Sequence, residues 1–343
     1  MLSGVVGHEK VKRVLHNSYF EGRVGHAYIF EGPKGVGRLS AAKAFSRLLL
    51  CENPQNGNAC GKCKSCSMCE SGNHPDVSIV TNQLYDQSKK STDVLVDTIR
   101  NMKKDVYIKP YHSQRKIYII PKADTMNMYA QNSLLKVLEE PPAYCTIILI
   151  AENSNMFLPT VLSRTVSVRF FPLSDVDVEE YLKKNYPALS ENATAIAAMS
   201  AGSIGKSKML CESPELVKMR DGLVECFEDL LGEKKRSIYD FVLFLKQNKD
   251  DFEIMRDILQ GIFCDLLHIK NTGDFEHITN PDKVSKLKKF NEQMNKSVPE
   301  KLLEILLKYN EYFLKNISYA QIAQCLGVEL WEAIHDRSYR CEI

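Results

Sequence analysis

The sequence has 343 residues, room for two or three domains at roughly 150 residues each. Lys and Arg total 45 against 43 Asp and Glu, a net charge of +2, which excludes a protein that coats nucleic acid by charge alone but leaves a local basic patch open. Hydrophobic residues at 44% and charged residues at 26% suit a globular chain, no apolar run nears the roughly 20 residues of a membrane span, and Met1-Leu2-Ser3-Gly4 lacks the basic and apolar regions of an export signal, so a cytoplasmic protein with no membrane partner is expected.

The first half alternates strand and helix signals. Ala27-Tyr28-Ile29-Phe30 reads as a strand, followed by a Gly-rich turn and a helix over 38–50. Asp76–Val80 is a second strand and 94–103 a helix. Lys116–Ile120 is a third strand, bounded by Pro121. A helix over 127–140 has its apolar residues at 130, 134, 135, 137 and 138 and is stopped by Pro141-Pro142. The apolar run Thr146–Ile150 and then Val166–Phe170 complete the strands. Continuous apolar strands alternating with helices predict a parallel α/β sheet. Beyond Pro172 the pattern is helical: 175–184 and 191–199, a break at Ala201-Gly202-Ser203, then helices from Pro214 onward. The basic run Lys286-Leu287-Lys288-Lys289 reads as a solvated helix face.

Gly32-Pro33-Lys34-Gly35-Val36-Gly37-Arg38-Leu39-Ser40 stands between strand and helix, where a phosphate-binding loop G-x-x-x-x-G-K-[ST] belongs. Gly32, Gly35 and Gly37 permit the turn and let backbone N–H groups face a phosphate. Two positions depart from the pattern. Arg38 replaces the lysine, and Leu39 replaces the hydroxyl that would hold Mg²⁺. The third strand also ends in Pro121-Lys122 instead of acids, and Asp124 reads as a cap for the next helix. A degenerate nucleotide site without hydrolysis is therefore expected, with nucleotide binding itself left open.

Five of the eleven cysteines lie between Cys51 and Cys69. Cys51-x8-Cys60-x2-Cys63-x2-Cys66, with Cys69 two residues further, reads as a loop-borne structural zinc site in which one cysteine is spare. The gaps do not fit a ferredoxin-type cluster, and a redox pair belongs at the first turn of a thioredoxin-like unit, which this is not. His74 is an alternative ligand, though its place before Pro75 reads as a loop histidine. Cys145, Cys211, Cys226, Cys264, Cys325 and Cys341 read as small buried hydrophobes.

Taken in order, the loop remnant, the cysteine insert behind its helix, Asn132–Pro142 (NSLLKVLEEPP) and Leu162-Ser163-Arg164-Thr165 resemble the delta-prime family of bacterial DNA polymerase III clamp-loader subunits, as do Val6-Gly7-His8 and His26–Phe30. The similarity is strong over roughly 1–210 and rests on length and helicity beyond. It implies an AAA+ fold: a RecA-like domain over 1–170 carrying the zinc insert at about 51–69, a small helical lid over 171–212, and a helical collar over 213–343. It implies DNA replication in a five-subunit ring with gamma/tau and delta subunits, which loads the sliding clamp on primed DNA. In that family this member does not hydrolyse ATP, and the polymerase's synthesis is another subunit's work. The resemblance further implies zinc ligation by Cys51, Cys60, Cys63 and Cys66. It makes Arg164, with Ser163 as motif neighbour, an arginine finger in trans, and Thr165 takes the place of that motif's cysteine. On the residues alone Arg164 reads as pairing with a local carboxylate. Two alternatives stand beside this reading. An active gamma/tau-like ATPase is opposed by Leu39 and Pro121-Lys122. A zinc-dependent nucleic-acid binder is opposed by the near-neutral charge and the absence of a reading helix.

Overall fold

A computed structural model describes residues 2, 4–88, 91, 93–275, 278–314 and 317–335. They fall into two units, 1–181 with 202–205, and 182–201 with 206–343.

Five parallel strands organise the first unit: β1 (Ala27–Glu31), β2 (Val77–Ile79), β3 (Lys116–Ile120), β4 (Cys145–Ala151) and β5 (Val166–Arg169), in the order β2-β3-β4-β1-β5. This is the RecA-like order, with the first strand between the fourth and the fifth. The apolar runs are continuous because the inner strands have helices on both faces. Ala27 and Ile29 of β1, Tyr118 and Ile120 of β3, and Ile147 and Leu149 of β4 belong to one core. Tyr28 and Phe30, Ile117 and Ile119, and Ile148 and Ile150 belong to the other. Edge strand β5 buries only Val168.

In chain order the helices of the first half are α1 (Glu9–Phe20), α2 (Arg38–Leu50), α3 (Lys64–Glu70), α4 (Asn82–Tyr85), α5 (Val96–Val106), α6 (Met128–Glu139) and α7 (Pro159–Leu162). The core of Tyr28 and Phe30 is covered by α1 and α2 through Val11, Leu15, Phe45 and Leu48. The opposite face is covered by α5 and α6 through Ile99, Met102, Leu134 and Leu138. Asn127 begins α6 by accepting the Ala130 N–H at 3.0 Å, a side-chain cap of the usual kind.

The remaining helices are α8 (Asp175–Asn185), α9 (Ala193–Met199), α10 (Ile204–Glu212), α11 (Pro214–Leu230), α12 (Arg236–Gln247), α13 (Phe252–Thr272), α14 (Val284–Gln293), α15 (Val298–Leu314) and α16 (Tyr319–His335). In the second unit Phe227 of α11 packs against Phe263 of α13 and Phe290 of α14, at 5.4 and 5.6 Å between ring centres. Buried Asp265 accepts the backbone N–H groups of Thr279 and Asn280 and fixes that turn. Lys288 and Lys289 are exposed while Leu287 is buried, as a solvated helix face requires. None of the described helices is long and apolar enough to cross a membrane.

Three expectations change. Asp124 caps no helix; its Oδ2 accepts the Glu152 N–H at 2.7 Å, and Asn127 takes the capping role. The cysteine insert is not all loop. Cys63 accepts the Cys66 N–H at 3.4 Å, and α3 follows it. Of the scattered cysteines only Cys145 is buried; Cys211, Cys226 and Cys325 are half-buried, and Cys264 is exposed on α13. Cys341 lies outside the described residues.

One buried polar group tests the packing of α5 on the sheet. Lys116 opens β3 with its ammonium 2.9 Å from Asp105 of α5, and Tyr118 donates to the other oxygen of that carboxylate at 2.8 Å. Asp105→Ala should cost about 3 kcal/mol in urea unfolding, because the buried Lys116 ammonium then keeps only the residue-105 carbonyl at 3.1 Å and the Tyr118 hydroxyl loses its acceptor. Lys116→Met in the same background should recover most of that loss.

Candidate functional site

Loop 32–37 closes the gap between β1 and α2. Gly32 has φ 151°, and a Cβ there would run into the Phe170 carbonyl. Gly35 has φ 79°, and a Cβ there would overlap the Ser203 hydroxyl. Backbone conformation and close approach both demand glycine at these two positions. The chain also closes the loop from outside: Gly205 donates its N–H to Gly35 O at 2.9 Å, and Ser203 donates its hydroxyl to Lys34 O at 3.1 Å.

Arg38 is the first residue of α2, where a phosphate-binding cation would project. It is only 8% exposed. Its guanidinium donates to the carbonyl of Ala151, the last residue of β4, and lies 4.0 Å from Glu152. The cation is turned into the sheet end and engaged there. Leu39 and Ser40 are exposed, and β3 runs out at Ile120 into Pro121 and Lys122 with no carboxylate at its tip. His8 donates its Nε2–H to Val36 O at 2.8 Å and stacks edge-on against Phe170. Burial holds its imidazole below the usual histidine range, so it is a neutral brace for the loop.

The second constellation is the insert behind α2. The sulfurs of Cys51, Cys60, Cys63 and Cys66 all lie within 4.8 Å of one another, and Cys69 is outside the set. Cys69 sits on α3 and packs against the core of Tyr28 and Phe30. Four thiolates about 2.3 Å from a tetrahedral metal have sulfurs roughly 3.8 Å apart, and Cys60 and Cys66 stand 4.0 Å apart. Backbone donors surround the sulfurs as the C-x2-C turns require. Cys51 receives the Cys60 N–H at 3.2 Å, Cys60 those of Lys62 and Cys63 at 3.5 and 3.3 Å, and Cys63 that of Cys66. The Lys62 and Cys63 amides pull the Cys60 thiol down to about 6; burial pushes Cys66 well up and Cys69 up to about 11. The residues fit a four-coordinate metal centre.

His74 is no ligand. It is buried, with Nε2 2.7 Å from the Ser65 hydroxyl of α3 and Nδ1 accepting the Asp76 N–H. Burial lowers its pKa, so it is a neutral structural group. Asp76, 1% exposed, accepts the N–H groups of Tyr111, His112 and Ser113 at 2.5, 2.8 and 2.7 Å. Ser65 also meets Ser113 at 3.3 Å, so insert, loop 107–115 and strand β2 are hydrogen-bonded together.

The third group lies on α7 and just beyond it. Ser163 is the C-cap of α7, and Arg164 follows, 35% exposed at its side chain. The local carboxylate that the residues alone suggest is present. Arg164 Nη2 lies 3.0 Å from Glu139, the last residue of α6, while Nη1 donates to Thr160 O and Ser163 Oγ. Glu139, His8 and Arg38 are residues of these sites whose partners the sequence does not announce. Each partner is remote in sequence, and a glutamate at a helix end carries no pairing signal.

A parallel sheet in this order, with a loop-to-helix phosphate cradle after its first strand, defines a RecA-like domain of the AAA+ class. The family described as "DNA polymerase III, delta subunit" matches residues 7–174, and its C-terminal counterpart matches 214–321. DNA polymerase III subunit delta' of Bacillus subtilis is 29% identical over 303 residues, 87% of this chain and 88% of that one. Subunit tau of the same organism is 26% identical over 330 residues, 90% of this chain but 57% of that longer one. A solved gamma-subunit-related protein of Thermotoga maritima is 18% identical with a TM-score of 0.40, covering 95% of this chain and 98% of its own. The chain belongs to the DNA polymerase III delta-prime family.

Metal analysis tests the cysteine centre. Cys60→Ser and Cys66→Ser should lose the bound metal and melt at lower temperature, whereas Cys69→Ser should keep a full equivalent. Loss of metal from Cys69→Ser alone would overturn the ligand set.

Proposed function

We propose that this subunit of DNA polymerase III serves the clamp loader as its non-hydrolysing delta-prime member, and that Arg164 completes the ATP site of a neighbouring gamma/tau subunit. One observation carries the reading: the Arg38 guanidinium is spent on the Ala151 carbonyl. Phosphoryl transfer needs a cation on the β- and γ-phosphates, a hydroxyl and an acid on Mg²⁺, and a residue that orients the nucleophile. Arg38 is withdrawn, Leu39 supplies no oxygen, and Pro121-Lys122 supply no acid. Overall similarity separates delta-prime from tau by only a few per cent identity. The loop residues support the delta-prime reading and speak against a gamma/tau-like ATPase.

In the ring read here, gamma/tau and delta subunits are the partners, and the complex places the sliding clamp on primed DNA in the cytoplasm. The RecA-like domain over 1–170, a lid over 171–212 and a collar over 213–343 divide that work. Zinc is the metal we assign to Cys51, Cys60, Cys63 and Cys66. A d¹⁰ ion with no geometric demand of its own suits four thiolates in a structural site. It would brace the insert and take no part in chemistry.

Arg164 acts by charge. A guanidinium stays protonated at any working pH and can fork onto two phosphate oxygens. The Glu139 pair does not forbid this. Both side chains are partly exposed, such pairs contribute about 0–1 kcal/mol, and the guanidinium keeps free N–H donors that a phosphate can take.

Purified chain with Mg²⁺-ATP should show no turnover, and Ser40→Ala should change nothing. Turnover abolished by Arg38→Ala would refute the degenerate-loop reading. In the assembled loader, Arg164→Ala should leave assembly intact and slow the site it serves by about 10³-fold or more. Arg164→Lys should rescue poorly, since an ammonium cannot fork. Normal clamp loading and turnover by the Arg164→Ala complex would remove the finger assignment.

A further inference from the structure

We propose that Glu139 is the positioning residue for Arg164, holding the guanidinium in the orientation from which it meets a neighbouring subunit's phosphate. The inference rests on the arginine-finger reading and adds one residue to it.

Arg164 has a long side chain with much rotamer freedom to lose when it meets a phosphate. Here its head is already held at three points. Thr160 O at 3.0 Å and Ser163 Oγ at 3.2 Å take hydrogen bonds from Nη1. Both acceptors belong to the short turn that carries Arg164, so they move with it. Glu139 Oε1, 3.0 Å from Nη2, is the one contact of the three on a different element.

That element is rigidly placed. Glu139 ends α6, whose Leu134, Val137 and Leu138 are buried in the sheet's core. Pro141-Pro142 stop the helix directly afterwards. The carboxylate therefore refers the arginine head to the sheet core and not to its own turn. Three acceptors against five guanidinium N–H groups leave donors for a phosphate while the hold persists. The pair is also exposed enough to relax without stranding a buried charge. In the stretch Leu138-Glu139-Glu140-Pro141-Pro142 this gives one charged residue a task that helix solvation would not require of it.

The test uses the loader assembled with its ATPase and delta partners, reading kcat and KM for ATP with clamp and DNA present. Glu139→Ala should lower kcat roughly two- to fivefold, the factor an exposed ion pair supplies, with KM unchanged. Glu139→Gln should fall between, since its amide oxygen still accepts a hydrogen bond. The isolated Glu139→Ala chain should melt at the unaltered temperature. Glu139→Ala combined with Arg164→Ala should be no slower than Arg164→Ala alone, because the glutamate acts through the arginine. A normal kcat for Glu139→Ala beside a slowed Arg164→Ala overturns the inference and spares the finger. Additive losses in the double variant, or a loader that fails to assemble with Glu139→Ala, overturn it too by giving Glu139 a separate role. Normal turnover in Arg164→Ala removes the finger reading, and this one with it.

Discussion

The carbonyl of Ala151 is the point on which the phosphate loop depends. It accepts the N–H of Gly32 at 3.2 Å and a guanidinium donor of Arg38. One oxygen at the tip of β4 thus fastens both ends of the loop, the glycine that opens it and the helix-opening residue that closes it. The oxygen is well placed to do so because β4 is buried along its whole length and paired on both sides, with β1 and β3. Position is inherited from the core outward, from strand to loop to the first residue of α2. An arginine at this point is long enough to reach back to the strand tip, and an aliphatic residue beside it has nothing to offer a metal. The cradle keeps its backbone geometry while its charged group is spoken for.

The same logic explains how much was legible in the residues. The strands that lie inside the sheet announce themselves, because burial on two faces forces unbroken apolar runs such as Thr146–Ile150. Helix α2 is readable to the residue, bounded by Gly37 and by the change of composition at Cys51. Helix α1 was not readable as an element, since its buried positions are only Val11 and Leu15 among charged and polar neighbours. Helix α3 hides inside the cysteine spacing. A metal-binding pattern is read as loop, and a seven-residue helix has no room for a periodic signal.

The sites divide similarly. Residues that act through local spacing, the four cysteines and the glycines of the loop, can be found from the sequence. The distant partners of site residues cannot. His8 finds Val36, Arg38 finds Ala151 and Arg164 finds Glu139, over 28, 113 and 25 positions respectively. Asp124 shows the opposite error. An acid just before a helix suggests a cap, but the carboxylate serves a backbone N–H after β4 instead.

The hydrogen bonds around His74 bear on how this chain can be shortened or exchanged. Ser65 on the insert, His74 and Asp76 beside β2, and the 111–113 backbone form one buried polar unit. An unpartnered buried donor or acceptor costs about 1–3 kcal/mol, and a buried carboxylate without donors costs more. Excising the cysteine insert would therefore remove Ser65 and leave the His74 imidazole Nε2 with only the longer contact to Ser113 Oγ at 3.3 Å, whatever became of the metal. Insert and scaffold are thus coupled as an inherited module: transplanting the cysteines alone onto a relative would carry the ligands without their footing.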